Sequence, residues 1–98
     1  MSVTLILDMK IKPELLDEFM SHFRENLPGS RDYDGCEYVD VYQAQDDPNR
    51  VVCIEGWASN ERFQAYGQWR REAGDVEAFM RYYDGTPSLT LLDASAGM

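Results

Sequence analysis

The stretch Gly35–Trp57, GCEYVDVYQAQDDPNRVVCIEGW, constrains the fold of this chain more than any other. It holds two runs rich in Val, Ile, Tyr and Cys, residues that suit a pleated, half-buried surface. Between them, Asp46-Asp47-Pro48-Asn49 has the composition of a turn: proline presets φ at the second turn position, and Asp and Asn side chains cap it. The segment reads as a β-hairpin with an aromatic at its far end.

The two faces of this hairpin differ. Side chains alternate along a strand, so Glu37, Val39, Val41 and Gln43 share one face, and Cys36, Tyr38, Asp40 and Tyr42 the other. In the second strand Val52, Ile54 and Gly56 oppose Val51, Cys53, Glu55 and Trp57. An even-length loop sets the aliphatic residues of both strands side by side, and Glu55 then faces Asp40 or Tyr42. A loop one residue longer or shorter scrambles the assignment. On the even-loop reading, one face is ordinary core and the other, with Tyr38, Asp40, Glu55 and Trp57, is the wall of a pocket.

With 98 residues, the chain is expected to form one domain, 1–98. A net charge of −9 argues against nucleic acid or an anionic membrane as partner, since both demand a basic surface. No apolar run reaches the length of a membrane span, and no basic stretch followed by an apolar one opens the chain, so a cytoplasmic protein is expected. Cys36 and Cys53 fall several residues out of alignment on neighbouring strands, beyond disulfide reach, and read as reduced thiols. With a single histidine, His22, and no Cys/His cluster, no metal site is expected.

In chain order, Val3–Ile11 alternates as a strand. Lys12-Pro13 opens a helix whose stripe is Leu15, Leu16, Phe19, Phe23 and Leu27, with Glu14, Asp17 and Glu18 favouring its N-terminus. Pro28-Gly29 is expected to end it, leaving residues 30–34 as a polar loop. After the hairpin, Ser59 caps a short helix holding Phe63 and Tyr66, with Gly67 as a break. A further helical stretch runs from about Trp69 to Tyr83, and Ser88–Leu92 is a last strand. The tail from Ala94 to Met98 is expected to fray.

The order β-α-β-β-α-β makes a ferredoxin-like α+β sandwich. Val39, Val41, Val52 and Ile54 would then form an apolar sheet face that a second copy of the chain covers, giving a homodimer.

Gly35-Cys36, Tyr42, Asp46-Asp47-Pro48-Asn49-Arg50 and Glu55-Gly56-Trp57-Ala58-Ser59 together closely resemble the antibiotic biosynthesis monooxygenase family. The resemblance implies a dimeric α+β barrel, with a pocket in each subunit between sheet and helices. It also implies oxygenation of aromatic polyketides or quinols by O2 with no metal or flavin cofactor. Other members degrade haem or handle small signalling molecules. The sequence departs from the family pattern at Tyr66, where a histidine is common. Residues 68–74 hold no histidine either, so haem is not expected.

Oxygenation without a cofactor needs a substrate that can itself reduce O2, such as a phenol or hydroquinone. The protein must deprotonate it, hold it flat and stabilise the anion. Trp57 and Tyr66 are candidates for the flat walls and a phenol hydrogen bond, Asp40 or Glu55 for the base, and Arg31, Arg70 or Arg71 for phenolate stabilisation. His22, Tyr38 and Trp69 complete the candidate substrate-binding set. Each has a plainer reading. Asp40 and Glu55 can serve only to pair with arginines, Tyr66 and Trp57 only to pack, His22 as a half-buried structural residue, and Arg70-Arg71 as a solvated helix face. Three functions are therefore carried forward: a cofactor-free monooxygenase, a non-oxidative isomerase-like enzyme or metabolite-binding dimer using the same pocket, and a dimer without catalysis.

Overall fold

The computed structural model describes residues 2–94. The expected fraying of the tail, beyond Ala94 itself, lies outside them. Strand β1 (Val3–Lys10) leads through a 3-10 turn, Pro13–Leu15, into α1 (Leu16–Asp32). Strands β2 (Cys36–Ala44) and β3 (Asp47–Trp57) form the hairpin. Helix α2 (Asn60–Glu72), short α3 (Asp75–Phe79) and a 3-10 turn (Met80–Tyr82) precede β4 (Ser88–Leu92). The four strands form one antiparallel sheet in the order β2-β3-β1-β4. Strand β3 thus lies between β1 and β2, the two strands that α1 connects, and the fold is ferredoxin-like α+β.

The hairpin exists as read, but its two faces pair differently. Gln45 and Asp46 make the turn, and Ala44 pairs with Asp47. Gln43 nevertheless pairs with Val51, so Pro48, Asn49 and Arg50 have no partner on β2. Pro48, which lacks an N–H, sits within this irregularity, where no β2 ladder bond is lost. The register beyond it is Val39 to Glu55, Val41 to Cys53 and Asp40 to Ile54. Val39 and Val41 therefore share the helix-covered face with Val51, Cys53, Glu55 and Trp57. Tyr38, Asp40 and Tyr42 lie on the outer face with Val52 and Ile54. This corrects the even-loop expectation, because one residue of slip exchanges the faces of a whole strand. A second irregularity at Glu37 brings Cys36 opposite Trp57, against which it packs. Cys53 stands opposite Val41, and both thiols are free.

Helix α1 does not stop at Pro28-Gly29. It runs on to Asp32 with Pro28 inside it, because Leu27 and the buried Ser30 continue its inward stripe. The missing Pro28 N–H forfeits one helix bond, a loss that packing of the last turn offsets. Gly67 likewise lies within α2, and Ser59 caps that helix by accepting the Arg62 N–H at 3.2 Å. The break comes at Gly74, whose φ of 82° lies in the left-handed region that glycine tolerates. The stretch expected from about Trp69 to Tyr83 is thereby divided, its first residues joining the Ser59-capped helix in α2 and the rest forming α3 and the 3-10 turn.

The core is in two parts. Met9, Ile11, Phe19, Val51, Cys53, Phe79 and Tyr82 form one cluster, while Val3, Leu5 and Trp57 form another. Leu7 touches both. No helix among the described residues is long and apolar enough to cross a membrane.

Candidate functional site

A cavity of about 550 Å³ lies against the sheet, bounded by both core clusters. Leu5, Leu7, Val39 and Glu55 line it from the sheet, Phe23, Asn26, Leu27 and Ser30 from α1, and Phe63, Tyr66 and Arg70 from α2. Val76, Phe79 and Met80 line it from α3 and the turn after it, and Gly85-Thr86-Pro87 and Leu89 complete the rim. The size and apolar walls suit a drug-sized or smaller organic ligand.

Glu55 is the polar group on the sheet side. It is 8% exposed, and its Oε1 accepts the indole N–H of Trp57 at 3.0 Å. The two residues are spaced two apart, so both project to the helix side of β3. Burial pushes the Glu55 carboxyl above the usual carboxylate range, and the indole hydrogen bond pulls it partly back. Burial, with the Glu55 charge beside it, also lifts the Cys53 thiol to about 12, which leaves Cys53 an inert core residue.

Arg70 organises the helix side, with its side chain only 11% exposed. Its Nε donates to the Tyr66 hydroxyl at 3.0 Å, its Nη1 to Asp75 Oδ2 at 2.8 Å, and its Nη2 to Ser30 Oγ and the Asn26 carbonyl, both at 2.8 Å. Burial alone would lower the Arg70 pKa, but the bonds to Asp75 and Tyr66 outweigh it and hold the guanidinium above its ordinary value. Ser30 Oγ and the Tyr66 hydroxyl are 2.7 Å apart. The Trp69 ring lies 4.7 Å beneath the guanidinium carbon and adds a cation–π contact. Gly29 leaves room for this packing: a Cβ there would lie 3.2 Å from Arg70 Nη2, and the guanidinium would have to give by a few tenths of an ångström.

The sequence-predicted residues divide into two groups. Glu55, Tyr66 and Arg70 line the cavity. Trp57 is fully buried and does not line the cavity; it backs two residues that do, bonding Glu55 and lying 4.6 Å from the Tyr66 ring. Trp69 is 40% exposed and backs Arg70 without lining the cavity. Asp40 and Tyr38 stand on the far side of the sheet, where the Tyr38 ring lies over Gly56, so neither belongs to the pocket wall expected of them. Arg31 is exposed and donates from Nε and Nη2 to the Val39 carbonyl on edge strand β2. Exposed Arg71 does not line the cavity either. His22 stacks on Phe79 at 4.2 Å, with Nδ1 3.0 Å from the Tyr82 hydroxyl, as a half-buried structural residue would.

Ser30, Asn26 and Asp75 are not among the site residues expected from the sequence, which places Ser30 in a polar loop. Extending α1 past Pro28 would have found Ser30, because Phe23, Leu27 and Ser30 recur at helical spacing. Asn26 already lies inside the expected helix and contributes its backbone carbonyl, which no side-chain pattern marks. Asp75 had no such signal, since only the Gly74 turn carries it back to Arg70. Among the described residues no group of three or more His, Cys, Asp or Glu side chains is placed to hold a metal ion.

The arrangement sets a buried carboxyl and a cation–phenol–hydroxyl cluster on the walls of one apolar space. Such a pair can take a proton from a ligand and stabilise the anion left behind.

The fold recurs in solved structures. An antibiotic biosynthesis monooxygenase is 24% identical, with TM-score 0.87 over 95% of this chain and 98% of its own. A Mycobacterium tuberculosis protein is 16% identical, with TM-score 0.87 over 97% and 96%. A conserved Methanosarcina mazei protein is 20% identical, with TM-score 0.83 over 96% and 93%. No curated protein matches. The family model described as antibiotic biosynthesis monooxygenase matches residues 2–81, which takes in the sheet floor with Glu55 and the whole of the Arg70 cluster. This chain belongs to the antibiotic biosynthesis monooxygenase family.

Proposed function

We propose that the protein is a cofactor-free monooxygenase acting on a small phenol, quinol or polyketide-type aromatic. The observation that supports this reading is the buried, weakly compensated carboxyl of Glu55 in the same cavity as the Arg70–Tyr66–Ser30 cluster. Glu55 takes the phenolic proton from a substrate that enters uncharged, and a hydroxyl of the Tyr66–Ser30 pair hydrogen-bonds the phenolate oxygen left behind. The phenolate passes one electron to O2, the radical pair combines to a ring peroxide anion, and Glu55 returns its proton to give the hydroperoxide. Loss of water from the hydroperoxide leaves a quinone. One oxygen atom enters the product and the other leaves as water, with every electron supplied by the substrate.

The same base and anion site also suit proton transfer next to a carbonyl, the isomerase-like alternative. Oxygen uptake with a panel of naphthols and hydroquinones, run with ¹⁸O2, separates the two. Uptake with one labelled atom in the product is expected. Deuterium exchange into a carbonyl probe without any oxygen uptake would replace the oxygenase with the isomerase.

The working unit in this proposal is a homodimer. Its interface uses the outer sheet face, where Ile6, Val52, Ile54 and Leu92 lie with Tyr38 and Tyr42, rather than the face containing Val39 and Val41. An apolar sheet face of this kind is rarely left to water.

A further inference from the structure

We infer that Asp75 sets the ligand class of the cavity: by closing an ion pair with Arg70, it turns a cationic wall into a neutral hydrogen-bonding one that takes an uncharged carbonyl oxygen and turns a carboxylate away. The inference rests on reading the cavity as the ligand pocket, and it adds to that reading the charge and the polar group of the ligand.

Hydrogen-bond accounting supports it. A guanidinium has five N–H groups. Four are engaged, by Tyr66, Asp75, Ser30 and the Asn26 carbonyl. The pair with Asp75, at 2.8 Å, sits where the Arg70 side chain is 11% exposed and that of Asp75 29%, so solvent screens it little. A ligand carboxylate would therefore meet an arginine already neutralised, with the Asp75 carboxylate beside it.

The two hydroxyls complete the argument. Tyr66 and Ser30 each accept one N–H from Arg70, and they share one bond with each other. Each hydroxyl owns a single proton, and that bond uses only one of the two. Whichever oxygen donates, the other keeps an O–H with no protein acceptor among the described residues. Both residues line the cavity. That O–H asks for an acceptor, and a neutral carbonyl oxygen supplies one without the desolvation cost that a carboxylate brings.

The test compares 2-naphthamide with 2-naphthoate, probes that share a ring system and a carbonyl but differ in charge. Calorimetric titration of the native protein near neutral pH is expected to show naphthamide binding at least about tenfold more tightly. Asp75→Asn should strengthen naphthoate about tenfold and leave naphthamide within about twofold. Asp75→Ser, which keeps a small polar residue at the head of α3, should shift the ratio the same way if the amide variant proves unstable. Naphthoate binding the native protein as tightly as naphthamide, no saturable naphthamide binding, or an unchanged ratio in a folded Asp75 variant would each overturn the inference. Oxygen uptake is not the readout, so selective binding without oxidation would count against the proposed reaction alone.

Discussion

Replacing Glu55 by glutamine should stabilise the folded protein at neutral and alkaline pH while removing the base on which the proposed reaction depends. Glu55 is 8% exposed and has one polar partner, the Trp57 indole at 3.0 Å. None of the ion pairs among the described residues includes it. Burial raises its pKa, so the sign of the linkage is opposite to that of a salt-bridged carboxylate. Below the ordinary glutamate value, about 4.3, the group is protonated in both the folded and unfolded states and contributes nothing. From there up to the raised folded value the folded state binds more protons, and stability falls as pH rises. Above it, the folded state carries the whole cost of a buried carboxylate. Each tenfold difference in proton affinity amounts to about 1.4 kcal/mol. Glutamine keeps an oxygen for the indole and never ionises. A gain of about 1–2 kcal/mol is expected at about pH 8, within the usual range for an incompletely compensated buried polar group, and close to none at about pH 4. In a domain of this size that is a melting shift of roughly 4–8 °C per kcal/mol. Unfolding of both proteins across this pH range, at one fixed protein concentration, measures the gap. A gap independent of pH, or a variant less stable at the alkaline end, would refute the reasoning. Turnover should fall by about 10²- to 10⁴-fold in the same variant, the usual worth of a positioned base.

Trp57→Phe removes the N–H that favours the ionised carboxyl, so the rising limb of the pH–rate profile should move to higher pH; an unmoved or lowered midpoint would show that the indole does not tune Glu55. Gly29→Ala puts a methyl 3.2 Å from Arg70 Nη2 and should loosen the bonds to Ser30 and Asn26. Stability should stay within about 1 kcal/mol, because alanine's better helix propensity offsets the crowding, while naphthamide affinity falls; unchanged affinity would mean that Arg70 tolerates the shift. Ile54→Asp places a charge in the middle of the outer sheet face, and in the proposed dimer it should dissociate the protein to monomers at a cost of several kcal/mol. Light scattering that finds the native protein monomeric would remove the basis of that prediction.

The amino-acid sequence by itself determined the elements and their order. The Val3–Ile11 alternation, the hairpin, the Phe19–Phe23–Leu27 stripe, the Ser59 cap and the final Ser88–Leu92 strand are all local signals, carried by periodicity and capping chemistry within a few residues. They suffice for a ferredoxin-like sandwich, and Gly35-Cys36, Tyr42, Asp46-Asp47-Pro48-Asn49-Arg50 and Glu55-Gly56-Trp57-Ala58-Ser59 taken together carry the family resemblance.

Only the tertiary structure decided which groups meet. The hairpin's register turned on the unpaired Pro48, Asn49 and Arg50, and a slip of one residue moved Tyr38 and Asp40 to the outer face while keeping Glu55 inside. The end of α1 turned on packing that outweighed the local cost of Pro28, and this brought Ser30 to Arg70, which also reaches the Asn26 carbonyl one turn earlier. Asp75 reached the same guanidinium through one left-handed glycine. Parity across a turn and the reach of a side chain between helices depend on contacts distant in sequence. Local pattern therefore determined the scaffold of this protein, and long-range packing determined its chemistry.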